Sequence, residues 1–126
     1  MNFVEIREVK LPDAPTESEI KAALNQEYLS FKKYISGKTT VCMVIEGKQL
    51  GSEEFAGMID NFGLSGKSEI AFVIGSSYGL SEEFKKSADY RLSISKMTFP
   101  HQLMRVILLE QLYRAFSIMN GGKYHK

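Results

Sequence analysis

The chain has one cysteine, Cys42, among its 126 residues. An intrachain disulfide is therefore excluded, and a cytosolic compartment is the natural expectation. It has only two histidines, His101 and His125, and these three residues show no zinc-ligand spacing, so no metal is expected. No stretch approaches the roughly 20 apolar residues of a membrane span. Met1–Lys10 carries Glu5, Arg7, Glu8 and Lys10 where a signal peptide would have its apolar region. Neither a G-x-G-x-x-G dinucleotide loop nor a Walker lysine loop is present. No Ser-His-Asp set can be argued from spacing, and the scattered carboxylates support no glycosidase pair. Internal repeats and low-complexity segments are also absent.

What is there reads as one globular domain, residues 1–126, with 44% hydrophobic and 25% charged residues. The net charge of +1 conceals an asymmetry. From Arg91 onward, six cations face Glu110 alone, a net of +5, so residues 1–90 carry −4. A basic C-terminal third suits a polyanion such as RNA, although the same charges would also serve a solvated surface.

Along the chain, Val4 and Ile6 alternate with charged residues in a short strand-like opening. Thr16-Glu-Ser-Glu19 has capping-box spacing and predicts a helix ending near Gly37. Thr39–Ile45 reads as a buried strand, and Gly47 as a turn. Ser52 with Glu53 and Glu54 starts a second helix running to about Gly63. Ile70–Ile74 is a strand-length apolar run, Ser81-Glu-Glu-Phe84 opens a short helix, and Leu92–Ser95 is another strand. A last helix opens at Thr98-Phe-Pro-His101, with Thr98 as cap and Pro100 in the first turn, and ends at Asn120-Gly-Gly122.

Strands alternating with helices imply an α/β layer fold with a mostly parallel sheet. Ligands in such folds bind at the carboxyl ends of strands. Three loops are thus candidates: after Ile45, after Ile74 and after Ser95. Ile74-Gly-Ser-Ser-Tyr-Gly79 resembles a ligand-cradling loop, though an ordinary strand-to-helix turn explains it too. Ser95-Lys-Met-Thr-Phe-Pro-His101 is denser in functional side chains. Tyr124-His-Lys126 combines an aromatic ring, an acid/base and a cation, which suits stacking on and deprotonating a nucleic-acid base, or else a frayed tail. In the last helix, Met104, Ile107, Leu108, Ala115, Phe116 and Met119 form an apolar stripe. Leu103, Val106, Leu109, Leu112 and Tyr113 widen it beyond one face, so a homodimer through this helix is expected.

Several stretches together resemble the pseudouridine N3-specific methyltransferases of large-subunit ribosomal RNA, the RlmH type within the SPOUT superfamily. They are Ile45-Glu-Gly-Lys48 with Ser52-Glu53, Phe72-Val-Ile-Gly75 with Gly79-Leu80, and Leu92 through Gln102. Met104-Arg105, Glu110-Gln111, Tyr113-Arg114-Ala115 and Tyr124-His125 continue the series. The resemblance implies an α/β SPOUT fold with a C-terminal trefoil knot, a dimer, and S-adenosylmethionine as methyl donor to a pseudouridine of 23S ribosomal RNA in the assembled ribosome. Carried over by motif, the cofactor contacts fall on Met43, Gly75, Ile94, Ser95, Lys96, Met97, Thr98 and Phe99. His125 is the expected base, Tyr124 a stacking or positioning group, and His101 a second catalytic candidate. Arg105, Arg114, Lys123 and Lys126 are expected to meet phosphate, some of them from the opposite subunit. A SPOUT-fold module that binds ribosomes without transferring methyl is the alternative. This sequence departs from the family pattern in two ways. It begins about one strand–helix unit late, roughly thirty residues, and it has Ser76 and Tyr78 where the family has glycine and asparagine.

Overall fold

The computed structural model describes residues 4–125, so Lys126 lies outside the described residues. In chain order the elements are α1 (Glu17–Ile35), β1 (Thr39–Gln49), α2 (Ser52–Leu64), β2 (Ile70–Ile74), α3 (Glu82–Ser87), β3 (Tyr90–Ser93) and α4 (His101–Met119). The strands form one parallel sheet in the order β2-β1-β3. Crossovers between parallel strands place helices on both faces, which is why the central strand is apolar without interruption from Val41 to Ile45.

Alternation along β1 divides the core in two. Val41 and Met43 point to one face, where they meet Phe55, Ile59 and Phe62 of α2 and Leu108, Leu112 and Ala115 of α4. Cys42 and, part-buried, Val44 point to the other, with Tyr28 of α1 and Phe84 of α3. Phe31 completes that second cluster, its ring edge-on to Phe84 at 5.1 Å. Burial pushes the Cys42 thiol up to about 11, so it is core and not a nucleophile.

The helix starts follow local chemistry. Thr16 Oγ1 accepts from Glu19 N at 3.2 Å while Glu19 Oε1 accepts from Thr16 N at 3.0 Å, a complete capping box for α1. Gly37 then takes φ +76 and turns the chain out of α1. At α2, Gly51 is the cap residue and Glu54 Oε1 accepts its N–H at 2.8 Å. Ser52 is thus the first helical residue, and its hydroxyl is free for another partner.

Five sequence expectations are corrected. The segment around Val4 and Ile6 is not a strand. Glu8–Pro12 lies instead beside α1 and the Ser76–Tyr78 turn, around a cavity of about 540 Å³, and alternation without a pairing strand does not make a ladder. β1 runs on to Gln49, with a register shift between Met43 and Lys48. Gly47 is not a turn: a Cβ there would lie 2.7 Å from Arg91 C and Leu92 N, so the glycine allows backbone-to-backbone approach to β3. β3 ends at Ser93, two residues before the expected Ser95, because the chain begins to turn on serine hydroxyls. Thr98 does not cap α4; Pro100 occupies that position, and Met104 N donates to its carbonyl at 3.0 Å.

Candidate active site

The sheet register brings three chain segments to one edge. Met43 pairs with both Ile74 and Leu92, so Gly75 and the Ser93–Ile94 junction leave the sheet on either side of it. Beyond β2, Gly79 N donates to the Ser76 carbonyl at 2.9 Å, and Gly79 adopts φ +91. A Cβ on Gly75 would lie 2.5 Å from Gly79 O, so this glycine closes the turn onto itself. Beyond β3, buried Ser93 donates to Ser95 O at 2.9 Å, and Ser95 Oγ accepts from Met97 N at 3.0 Å. Ile94, Ser95 and Phe99 are half-buried there, while Lys96, Met97 and Thr98 are exposed. Met43 is buried in the core, so a ligand at this edge would meet its backbone rather than its side chain.

The other expected site residues fall into two groups on α4. At its first turn, His101 Nδ1 is 4.0 Å from Glu8 Oε1, and Arg105 is 3.7 Å from Glu5. Both are wide contacts between exposed side chains. Arg114 lies thirteen residues beyond His101, about 20 Å along the helix axis at 1.5 Å per residue. There the tail folds back. Arg114 Nε donates to Glu110 Oε1 at 3.0 Å and Nη2 to the same oxygen at 2.6 Å. Arg114 Nη1 reaches His125 Nδ1 at 3.0 Å. The Tyr124 hydroxyl donates to Glu110 Oε1 at 3.0 Å, and its ring packs edge-on against Tyr113 at 4.8 Å and under the Arg114 guanidinium.

A second layer ties this cluster to α2. Gln111 Nε2 donates to Glu110 Oε2 at 3.0 Å, and the Ser52 hydroxyl donates to Gln111 Oε1 at 2.7 Å. Next to Ser52 in sequence, Glu53 Oε1 stands 3.5 Å from His125 Nε2. The network thus runs from the start of α2 through α4 to the tail and back. Its charges reinforce one another. The Arg114 guanidinium holds the Glu110 carboxyl below the usual carboxylate range, Glu110 in turn raises Arg114, and the hydrogen bond to Glu110 raises the Tyr124 phenol.

The sequence singled out Arg114, Tyr124 and His125 and the structure brings these three together; His101 and Arg105 lie apart from them. Arg114, expected to meet phosphate, has each of its three guanidinium nitrogens bonded inside the chain. Lys123 is exposed beside the cluster. Four members escaped the reading as site residues: Glu110, Gln111, Ser52 and Glu53. The Glu110/Arg114 pair had a visible signal, opposite charges four apart on a predicted helix. Ser52 and Glu53 had none, because their partners Gln111 and His125 lie 59 and 72 residues further along the chain. Among the described residues, no group of three or more His, Cys, Asp or Glu is arranged to hold a metal ion, and no helix is long and apolar enough to cross a membrane.

The ribosomal RNA large subunit methyltransferase H of Clostridium kluyveri is 49% identical over 127 residues, covering all of this chain and 80% of that protein. A putative ribosomal RNA large subunit methyltransferase H of Methanococcus vannielii and the Clostridium botulinum protein of the same name are each 47% identical over the same shares. Residues 1–125 match the family described as predicted SPOUT methyltransferase, and with relatives this similar along its whole length the chain belongs to that family.

Proposed function

We propose that this chain is an S-adenosylmethionine-dependent methyltransferase acting on N3 of a pseudouridine in large-subunit ribosomal RNA of the assembled ribosome. The observation that carries the reading is the meeting of three strand-end segments at one sheet edge, in a chain that also gathers Tyr124 and His125 into an ordered cluster. The relatives' names supply the substrate class. The chain forms a single SPOUT domain over residues 1–126, and its C-terminal half is knotted.

The residues at the sheet edge fit the cofactor. The Gly75–Gly79 turn and the Ile94–Phe99 loop offer backbone amides and carbonyls flanked by half-buried Ile94 and Phe99, the mix of apolar lining and few polar groups common in ligand sites. When bound, S-adenosylmethionine supplies an activated methyl group. The chain's own work is to hold the base in line with that methyl and to manage the N3 proton. Tyr124 stacks on or positions the base and His125 contacts it. His101, beside the Ile94–Phe99 loop, is the second candidate. Arg105, Lys123 and Lys126 meet phosphate, in keeping with the net +5 of the C-terminal third.

The exposed face of α4 supports a homodimer. Leu103, Val106, Tyr113 and Phe116 follow one another along it, with Val106 60% and Tyr113 63% exposed, while Leu108, Leu112 and Ala115 fill the opposite, buried face. The length of α4 between the loop end and the tail favours a site completed by the partner's tail. Such a dimer works on ribosomes in the cytoplasm.

Calorimetric titration with S-adenosylmethionine, run beside a solution mass measurement, tests the reading. Saturable binding by a dimer, followed by methyl transfer to ribosomes, is the expected result. A folded dimer that binds ribosomes but no cofactor would replace this reading with the inactive-module alternative.

A further inference from the structure

The contact between Arg114 and His125 decides which nitrogen of the imidazole carries the proton. A guanidinium has only donors. With Arg114 Nη1 3.0 Å from His125 Nδ1, that nitrogen must present its lone pair, and the neutral ring carries its proton on Nε2. The far side of the ring agrees: Nε2 faces Glu53 Oε1 at 3.5 Å, and a carboxylate is an acceptor for an N–H. Turning the ring over would set carbon against both partners, so the arrangement is not interchangeable. Arg114 is itself held, because Glu110 takes two of its N–H groups on one oxygen and is braced by Tyr124 and Gln111. The groups facing His125 are therefore Arg114 from α4, with Glu110 behind it, Glu53 from α2 and neighbouring Tyr124 in the tail.

We infer that Arg114, oriented by Glu110, is a positioning residue that fixes His125 as its Nε2–H tautomer, so that His125 offers the substrate base a hydrogen-bond donor rather than a proton-accepting lone pair. The inference rests on the proposed methyl-transfer reading and revises the role of His125 within it. Glu53 is exposed, and its long contact is readily exchanged for a carbonyl oxygen next to the reacting nitrogen. In the step, the N3 proton passes to solvent water and the nitrogen keeps the electron pair. With S-adenosylmethionine bound, that pair would take the methyl group, and the electrons of the broken methyl–sulfur bond would return to sulfur. His125 retains its own proton throughout and shares it with the carbonyl oxygen, which carries much of the negative charge once N3 is deprotonated. Fixed donors aimed at developing charge are among the larger catalytic effects, about 100- to 1,000-fold for one donor.

Two measurements test this. Long-range 1H–15N correlation spectra of the full-length chain labelled at histidine, at neutral pH and without substrate, read the tautomer directly. His125 protonated at Nε2 and bare at Nδ1 is expected, with a mixture in Arg114→Ala; a proton on Nδ1 in the parent chain overturns the inference whatever the activity. The second is methyl transfer to ribosomes. His125→Gln places an amide N–H where Nε2–H stands and has no titratable lone pair. It should keep kcat within about tenfold of the parent, whereas His125→Ala loses roughly 100-fold or more. Arg114→Ala should lower kcat in the parent and do little in the His125→Gln background, because glutamine has no tautomer to fix. Equal losses in both backgrounds, or a glutamine variant as poor as alanine, overturn it. A parent chain with no transfer at all refutes the methyltransferase reading and leaves the spectrum to decide the tautomer.

Discussion

The two ends of α4 carry similar residues and organise them differently. At the first turn, His101 and Arg105 look across at Glu8 and Glu5 over 4.0 and 3.7 Å, between exposed side chains. Near the last turns, Glu110, Arg114, Tyr124 and His125 are joined by hydrogen bonds of 2.6–3.0 Å. The difference lies in covalent geometry and in shared partners. Glu110 and Arg114 are four apart, hence neighbours on one helix face, and one carboxylate serves both the guanidinium and the phenol. The pairs at the other end join α4 to a segment without regular structure, and isolated exposed pairs of that kind contribute little. Similar functional groups become a site only where their donors and acceptors are mutually constrained.

Substitutions at the two ends should separate most widely in activity. Arg114→Ala, which leaves His125 a mixture of tautomers, is expected to lower methyl transfer by up to about tenfold with cofactor affinity nearly unchanged in calorimetry. Arg105→Ala should instead weaken ribosome binding and reduce its salt dependence by about one unit of slope. Equal behaviour of the two arginines would erase the contrast.

Acid and alkali should then release the tail in defined windows. Glu110 is depressed, so its contribution is present above the ordinary carboxylate range and lost as pH falls through its lowered value. Tyr124 is raised, so its contribution is complete below the ordinary tyrosine value and lost as pH rises through its elevated one. Protease cleavage near Tyr124 should therefore stay slow across neutral pH and quicken at both extremes, and Glu110→Gln should abolish the acid limb. The smallest effect is expected at the other end: His101→Ala should change unfolding free energy by no more than about 0.5 kcal/mol, measured by urea denaturation.

Much of the fold was readable because its signals are local. The Thr16 box, the Ile70–Ile74 run, the Ser81 cap and Gly37 each act within a few residues, and the observed elements follow them. The misreadings share a cause. Gly47 looked like a turn because its neighbour across space, the Arg91–Leu92 backbone, is more than forty residues away. Val4 and Ile6 alternate as a strand does, but whether a strand forms depends on a partner to pair with. In the same way, the tail stood out by its residue types, while the atoms that orient it, on Glu53, Ser52 and Gln111, did not.

By itself the sequence determined the α/β alternation, the family, the basic C-terminal third and the identity of the chemically able side chains, because periodicity, capping and motif are properties of neighbouring residues. Only the tertiary structure decided which of these meet. The parallel register set Met43 between Ile74 and Leu92 and so brought the loops to one edge. The packing of α2 on α4 brought Ser52 to Gln111 and set Glu53 across from the folded-back tail. The proton on His125 was decided last of all, since a tautomer depends on what each ring nitrogen faces, and that is fixed only when distant segments have packed.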